Sequence, residues 1–280
     1  MQSDDVDYWI DPAALADADI IALCVKSGAT QEAAKEIAIH ARPGATVISF
    51  QNGISNVEVL ERQLGDRFNV MRGMVPYNVA YLGDGRFHKG VAGELYAEDG
   101  PVTSALSGAV SQSPAALKLS NDMLGIAWGK LIINLNNAVN ALSGRTLVEQ
   151  LLQRDYRRVV AACQREGLRL LRQAGIKPAK VGAVGPALLP HVIGSPDWLF
   201  RHLFLKAWKI DEKARSSMAD DLAAGRTTEV DYINGELVQL AERLTTDAPV
   251  NRKVVELIRK AEAGAKPWSP DALRREVLGS

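Results

Sequence analysis

The sequence has few cysteines, no long apolar run and no excess of charge of either sign. Two cysteines in 280 residues cannot form a disulfide framework, which predicts a reducing, cytoplasmic location. The apolar stretch at residues 18–25 contains Asp19 and is too short to cross a bilayer, and the first residues are acidic where a signal peptide is basic. Lys and Arg number 33, as do Asp and Glu, so we predict no binding to nucleic acid or to a membrane.

Two kinds of binding motif are also missing. The four histidines and the cysteines show no spacing typical of metal ligands, so we predict no metal site. No Gly-x-Gly-x-x-Gly follows a strand, although that turn commonly holds the pyrophosphate of a dinucleotide at a helix N-terminus. We therefore expect the polypeptide as printed to bind a dinucleotide weakly.

The first 120 residues alternate between strand and helix patterns. Strand patterns cover residues 19–25, 45–50, 69–71 and 115–119, and helix patterns cover residues 30–38, 57–64 and 102–110. Residues 19–25 predict a fully buried strand, and the β-α-β-α-β order predicts a mostly parallel sheet with right-handed crossovers. Gly83-Asp84-Gly85 indicates a hairpin, whose two strands we predict at the edge of this sheet.

Helix spacing dominates from residue 121 onward. Helix patterns cover residues 124–142, 156–174, 213–224, 228–244 and 250–263. Prolines and glycines in residues 175–196 predict a long irregular connection that is either a lid or a packing segment. The sequence therefore predicts an α/β fold, with a partial Rossmann-like domain at residues 1–120 and an all-helical domain at residues 121–280.

Six arginines lie in or just before the helix pattern at residues 156–174, at positions 154, 157, 158, 165, 169 and 172. We interpret them as a solvated helix face above apolar side chains, because long basic side chains cover apolar surface while their charges stay in water.

Two polar residues follow predicted parallel strands. Lys26 ends the first strand, and Asn52 lies in Gln51-Asn52-Gly53 between a strand and a helix. Ligands bind at the carboxyl ends of such strands, where a lysine can neutralise phosphate and an amide can hydrogen-bond. Each residue also has a purely structural explanation. Lys26 fits a solvent-exposed strand end, and Asn52 fits the Asn-Gly sequence of a simple turn.

A row of amides flanks a lysine in the predicted helix at 124–142. Lys130 and Asn134 are one turn apart, and Asn137 follows seven residues after Lys130 on the adjoining face. Asparagine is a poor helix former, so four of them in one core helix need a reason. Two explanations fit these asparagines: they line a ligand pocket together with Lys130, or they form hydrogen bonds between helices. We favour the pocket, because the polar residues flank a lysine in an otherwise apolar helix.

Ser217 and Glu229 lie on two successive predicted helices, separated by Gly225. Taken alone, Glu229 fits a carboxylate that complements the positive end of a helix dipole.

Together these segments resemble the ketopantoate reductase (2-dehydropantoate 2-reductase) family over nearly the whole chain. The resemblance is carried by an ordered set of motifs: Val25-Lys26, Gln51-Asn52-Gly53, Lys130-x-x-x-Asn134, Ser216-Ser217-Met218, residues 228–235 and Pro249-Val250-Asn251. It implies NADPH-dependent reduction of 2-dehydropantoate, or of a similar 2-oxo acid, in pantothenate biosynthesis.

The resemblance also implies roles for the candidate residues. Lys130 would be the general acid, Lys26 and Glu229 would hold the cofactor, and Asn52 would contact both cofactor and substrate. Asn134 and Ser217 would bind the substrate, with Asn137 in place of a family amide that is Ala138 here.

Three features depart from the family pattern: the opening glycine-rich β-α-β unit is not in this sequence, and alanines stand at 138 and 214. Two alternatives therefore stay open. The chain is a non-catalytic remnant that folds and dimerises, or a reductase for a different 2-oxo or 3-hydroxy acid. The expected partners are a small 2-oxo acid and a second copy of the chain in a homodimer.

Overall fold

The structure is a computed structural model. It describes residues 7–77, 79–81, 83, 85–89, 93–205 and 210–279. Contacts divide the chain into two compact units, residues 1–77 with 92–123 and residues 78–91 with 124–280. We call them the sheet unit and the helical unit.

The described residues contain seven strands. They are β1 (Ile20–Leu23), β2 (Thr46–Ser49), β3 (Asn69–Met74), β4 (Val79–Tyr81), β5 (Phe87–Lys89), β6 (Leu95–Glu98) and β7 (Leu117–Ser120). Five of them form one sheet in the order β1-β2-β3-β6-β7. Neighbouring strands are parallel except for β3 and β6. The predicted mostly parallel sheet is confirmed.

The α-helices are α1 (Thr30–His40), α2 (Asn56–Leu64), α3 (Pro101–Val110), α4 (Met123–Ser143), α5 (Leu147–Leu151), α6 (Arg154–Gln173), α7 (Leu189–Ile193), α8 (Asp197–Leu199), α9 (Ser217–Ala223), α10 (Asn234–Arg243), α11 (Pro249–Glu262) and α12 (Pro270–Leu278). The succession of a sheet unit and a helical unit confirms the predicted fold class. Within the described residues, no helix is both long enough and apolar enough to span a bilayer.

The sheet is covered by helices on both faces. On one face Ile37 of α1 and Leu60 of α2 belong to the same buried cluster as Val47. On the other, Leu106 of α3 packs against the cluster that contains Ile48 and Met71. Successive side chains of a strand point to opposite faces, so β2 is buried along its whole length, as expected for a central parallel strand.

The prediction of a fully buried strand at residues 19–25 is wrong. Ile21 and Leu23 are buried, but Ala22 and Cys24 are exposed. In the described sheet β1 pairs with β2 alone, so only one of its edges is hydrogen-bonded. An apolar run does not distinguish an edge strand from a central one.

The predicted position of the hairpin is also wrong. β4 and β5 are antiparallel, but they form a two-stranded sheet of their own, and their residues belong to the helical unit. β6, which follows the hairpin in the sequence, does join the main sheet, beside β3. Asp84 in the predicted turn lies outside the described residues.

Two helices of the helical unit begin later than predicted. The segment predicted as a helix from residue 213 becomes helical only at Ser217, because Ser216 is the N-cap and its hydroxyl accepts from Ala219 N at 3.2 Å. The segment predicted from residue 228 starts with a 3₁₀ turn, Val230–Tyr232, before α10 begins. Residues 175–196 are mostly irregular as predicted, with the one short helix α7.

The interpretation of the arginine row is wrong at one position. Five of the six arginines are exposed, but Arg157 is fully buried, with 0% exposure. Its guanidinium donates to three main-chain carbonyls and to Asp197. Arg157 therefore connects α6 to the end of α5 and to residues 193–197.

Candidate active site

A buried polar network fixes the carboxyl ends of β1 and β2. The side-chain amide of Gln51 donates to Val25 O at 2.9 Å and to Thr30 Oγ1 at 2.8 Å, and its carbonyl accepts from Ser49 Oγ at 2.9 Å. Since the bond to Val25 connects the end of β1 to the loop after β2, the two chain segments that carry candidate residues are held together.

The same network sets the loop that contains Asn52. The main-chain carbonyl of Asn52 accepts from Ser27 Oγ at 3.0 Å and from the side-chain amide of Asn56. Gly53 has φ +88°, a left-handed conformation that suits glycine. Lys26, one residue before Ser27, is exposed. The structure thus brings Lys26 and Asn52 together at the carboxyl edge of the sheet, where parallel sheets bind ligands.

Lys130 is the most electrostatically perturbed candidate in the helical unit. Its side chain on α4 is partly buried, and burial lowers the pKa of its ammonium from 10.5 to about 8, although the negative charge of Glu229 raises it in part. Lys130 therefore loses its proton closer to neutral pH than an ordinary surface lysine does.

The position of Glu229 depends on the neighbouring main chain. Thr228 N donates to Glu262 Oε1 at 2.8 Å, and Val230 N donates to Thr228 Oγ1 at 3.3 Å. These bonds tie both sides of Glu229 to the helical unit. The half-buried carboxylate is consequently held within electrostatic range of Lys130.

The asparagines of α4 divide into two pairs. Asn136 Oδ1 accepts from Gln150 Nε2 at 3.1 Å, and Asn140 hydrogen-bonds with Arg145 O and Ser216 N, so these two join elements of the helical unit. The side chains of Asn134 and Asn137 are half-buried and have no hydrogen-bond partner in the part of the chain that the structure describes. Asn134 and Asn137 share the face of Lys130 and can bind a ligand.

The two serines before α9 differ in what they contact. Ser216 is buried, and its hydroxyl donates to Asn137 O at 3.1 Å, which anchors the start of α9 against α4. Ser217 is the exposed first residue of α9. The structure therefore gives Ser216 a structural task and leaves Ser217 accessible near Asn137.

A small pocket lies beside Asn137. It has a volume of about 210 Å³, and Leu147, Leu151 and Ile193 contribute to its apolar lining. Gln164 also lines it, and its buried Oε1 has no hydrogen-bond partner among the described residues. A mostly apolar pocket with an unpaired acceptor suits a branched alkyl group that carries a hydroxyl.

Glycine lets an irregular segment cross α4 directly beside Lys130. Ala179 N donates to Gly125 O at 2.8 Å, and a Cβ added at Gly129 would collide with the carbonyl oxygen of Ala179. The connection at residues 175–196 thus packs against the helix that carries Lys130. Of the two predicted alternatives, a lid or a packing segment, this contact fits the packing segment.

Substituting Gly129 by alanine is expected to lower the free energy of unfolding by ~2 kcal/mol, because the clash involves main-chain atoms that cannot rotate away. Gly108→Ala on α3 is the matched control, since a Cβ there meets nothing within 4 Å and alanine favours a helix by ~1 kcal/mol. Urea denaturation of both variants measures the difference. Equal stability of the two would contradict the close approach.

The segment Pro249-Val250-Asn251 marks a buried helix start. The carboxylate of Glu166 on α6 accepts from Val250 N at 3.0 Å and from Asn251 N at 2.8 Å, and so caps α11. Asn251 Oδ1 accepts in turn from Asn234 Nδ2 at 3.0 Å, which joins α10 to the same cap. This motif therefore stabilises the helical unit.

Two family models together match most of the chain. The family model described as "Ketopantoate reductase PanE/ApbA C terminal" matches residues 122–262, and the one described as "Ketopantoate reductase PanE/ApbA" matches residues 3–101. The chain belongs to the ketopantoate reductase family. The predicted family is confirmed, and so is the predicted class of enzyme, an oxidoreductase.

Individual relatives in the ketopantoate reductase family are similar along most of the chain. A 2-dehydropantoate 2-reductase of Archaeoglobus fulgidus is 27% identical over 258 residues, which are 89% of this chain and 78% of the relative. One from Halobacterium salinarum is 27% identical over 262 residues, 90% of this chain and 78% of the relative.

Solved structures show the same fold. A PanE/ApbA family ketopantoate reductase from Ralstonia eutropha JMP134 superposes with a TM-score of 0.76 at 28% identity, covering 90% of this chain and 78% of that chain. A D-mandelate dehydrogenase solved with NADH and anilino(oxo)acetate superposes with a TM-score of 0.73 at 18% identity, covering 90% of this chain and 79% of that chain.

Sequence reasoning missed several residues that build the site. Gln51 was noted only as part of a loop motif, whereas it connects two strands. Glu166 and Gln164 lie in the arginine-rich helix and give no sequence signal, because the main-chain groups that they contact, in α11 and α4, are distant in sequence. Gly129, inside an otherwise strong helix pattern, was a usable signal of close approach. Among the described residues, no group of three or more His, Cys, Asp and Glu could hold a metal ion.

Proposed function

We propose that this protein reduces 2-dehydropantoate, or a closely similar branched 2-oxo acid, to the 2-hydroxy acid with NADPH, in pantothenate biosynthesis. The observation that carries the proposal is Lys130, a partly buried ammonium with a pKa lowered to about 8, on the same helix face as Asn134 and Asn137. The proposed setting is cytoplasmic, and the proposed assembly is a homodimer.

The chemistry of ketone reduction accounts for this set of groups. NADPH, when bound, supplies a hydride to the carbonyl carbon. The carbonyl oxygen gains negative charge as the bond forms, and the Lys130 ammonium stabilises that charge and gives it a proton. Glu229 keeps part of the Lys130 population protonated, because its charge raises the pKa that burial lowers.

The neutral polar groups suit the remainder of the substrate. Asn134 and Asn137 donate through their amides to the carboxylate of the 2-oxo acid without adding charge, and Ser217 donates through its hydroxyl. The apolar pocket beside Asn137 takes the branched carbon, and the free Gln164 oxygen accepts from a hydroxyl on it.

The residues of the sheet unit suit the cofactor. Lys26 is an exposed cation at the carboxyl end of β1, and it neutralises phosphate. The Asn52 loop is fixed by Gln51, Ser27 and Asn56, so its amide is offered from a rigid support. Glu229, the third predicted cofactor ligand, accepts hydrogen bonds from hydroxyl groups through its carboxylate.

A steady-state assay of NADPH oxidation tests the proposal. We expect turnover of 2-dehydropantoate, with kcat/KM for pyruvate lower by ~10–200-fold, because the apolar pocket recognises the branch that pyruvate lacks. The absorbance of NADPH is followed at several NADPH concentrations, so that weak cofactor binding does not hide activity. A fluorescence titration that shows bound NADPH, together with no turnover of either acid, would contradict the proposed reduction of 2-dehydropantoate.

A further inference from the structure

A second, larger cavity lies in the helical unit, between the C-terminal half of α6 and residues 175–191. Its volume is about 770 Å³, within the range of sites that bind small organic molecules. Neither Lys130 nor any other candidate residue named above lines it.

The rim of this cavity is basic and contains no acid. Arg165, Arg169 and Arg172 of α6 line it together with Lys177, and no Asp or Glu lies among the lining residues. In the described parts of the chain none of these four cations makes an ion pair, whereas Arg158 on the same helix pairs with Asp155. Four neighbouring charges in a protein of zero formal net charge make a strongly positive patch.

One of these arginines is already held in place. Arg169 donates to Asp247 O at 2.7 Å and to Gln173 Oε1 at 3.3 Å. Its charge therefore stays at the rim without a carboxylate partner, and a bound anion would gain from an arginine that loses little side-chain entropy on binding.

The interior of the cavity is apolar. Leu168 and Ile176 line it as half-buried side chains, and Leu188, which is 62% exposed, also lines it. Pro178, Pro186 and Pro190 also line it, and proline rings restrict the main chain of the irregular wall. The cavity thus combines a stiff apolar wall with a cationic rim.

We propose that this cavity binds a small amphipathic anion, an apolar body that carries a phosphate or a carboxylate group. The anionic group pairs with Arg169, which is already held at the rim, and with its neighbours Arg165, Arg172 and Lys177. The apolar body covers Leu188 and Ile176. Neither half of the ligand suffices, because inorganic phosphate leaves the wall exposed and a neutral hydrocarbon leaves the cations unpaired.

The fluorescent probe 8-anilinonaphthalene-1-sulfonate, an aromatic body with one sulfonate, tests the proposal on the full chain. We expect it to bind one equivalent, and the double variant Arg165→Gln/Arg172→Gln to raise its Kd at least tenfold, about 1.4 kcal/mol. Leu188→Ser is expected to raise the Kd as well. These side chains are exposed, so the fold is expected to persist, and circular dichroism checks it.

Arg158→Gln is the matched control, an exposed arginine of the same helix outside the cavity, and it is expected to leave the Kd unchanged. Displacement of the probe by octyl phosphate and by octanoate distinguishes a phosphate ligand from a carboxylate ligand, and success of either supports the site. The proposal is overturned if the double variant binds like wild type, if Arg158→Gln weakens binding equally, or if inorganic phosphate competes as well as octyl phosphate.

Discussion

Replacing Lys130 by methionine is expected to lower kcat for 2-oxo acid reduction by ~10²–10⁴-fold, the usual contribution of a positioned general acid. Methionine keeps the length of the side chain and removes the proton donor. Because the cofactor residues proposed in the sheet unit are unchanged, the KM for NADPH is expected to stay close to that of wild type.

The pH profile separates this role from a general loss of structure. The acid must carry its proton, and the pKa of Lys130 is lowered to about 8, so the wild-type rate is expected to fall as pH rises through that value. Lys130→Arg keeps a charge but holds its proton to far higher pH, and its residual rate is expected to lack this alkaline decline.

Stability provides the control for this variant. Folding lowers the pKa of Lys130, so the unfolded chain binds the proton more tightly than the folded one between about pH 8 and 10.5. The buried charge therefore costs stability below that range, and Lys130→Met is not expected to lower the Tm at neutral pH. Leu124→Ala, an exposed change on the same helix, controls for perturbation of α4. Wild-type turnover in Lys130→Met would remove Lys130 from the mechanism.

The local part of the fold could be predicted from the sequence. Helix α2 begins and ends within one residue of its prediction, since Gly65 at φ +59° stops it. The parallel order of β1, β2 and β3 followed from the helices between them. The turn residues predict the hairpin of β4 and β5. They do not predict that these two strands form a separate sheet, because a turn does not specify which strands lie beside the hairpin.

Residues of the candidate site could be predicted only where they lie in the same short segment of the sequence. Lys130 and Asn134 share a helix face by spacing alone, whereas the bonds of Gln51 to Val25 and of Glu166 to Asn251 join residues far apart in sequence. Helical spacing likewise does not distinguish the asparagines that join helices from Asn134 and Asn137, which we propose to contact the substrate. That distinction depends on which elements pack against α4.

Arg157 is the clearest example of a residue whose burial the sequence did not predict. It has the spacing of a solvated row, yet α7 and the segment after it cover its position on α6. Its guanidinium donates to Leu151 O, Ile193 O and Ser195 O, each at 2.9 Å, and to the Asp197 carboxylate at 2.8 Å. The ring of Phe200 lies 4.3 Å from the guanidinium carbon and covers it.

Replacing Arg157 by methionine is therefore expected to lower the free energy of unfolding by ~3–5 kcal/mol, since it leaves several buried carbonyl oxygens without a donor. Arg158→Met is the matched control on the next position of the helix. Arg158 is 52% exposed in its side chain and pairs with Asp155 at 3.7 Å, so its loss is expected to change stability by less than ~0.5 kcal/mol.

Chemical denaturation of both variants, followed by circular dichroism, measures the difference. A second readout distinguishes a loss of these hydrogen bonds from a loss of packing volume. Amide exchange of the segment that contains Ser195 and Asp197 is expected to accelerate in Arg157→Met, because Arg157 is the group that joins it to α6. Arg157→Lys fills part of the volume, but its single nitrogen cannot replace the three guanidinium nitrogens that donate here, so it should recover only part of the stability. If Arg157→Met is as stable as Arg158→Met, the buried arginine does not hold this part of the helical unit together.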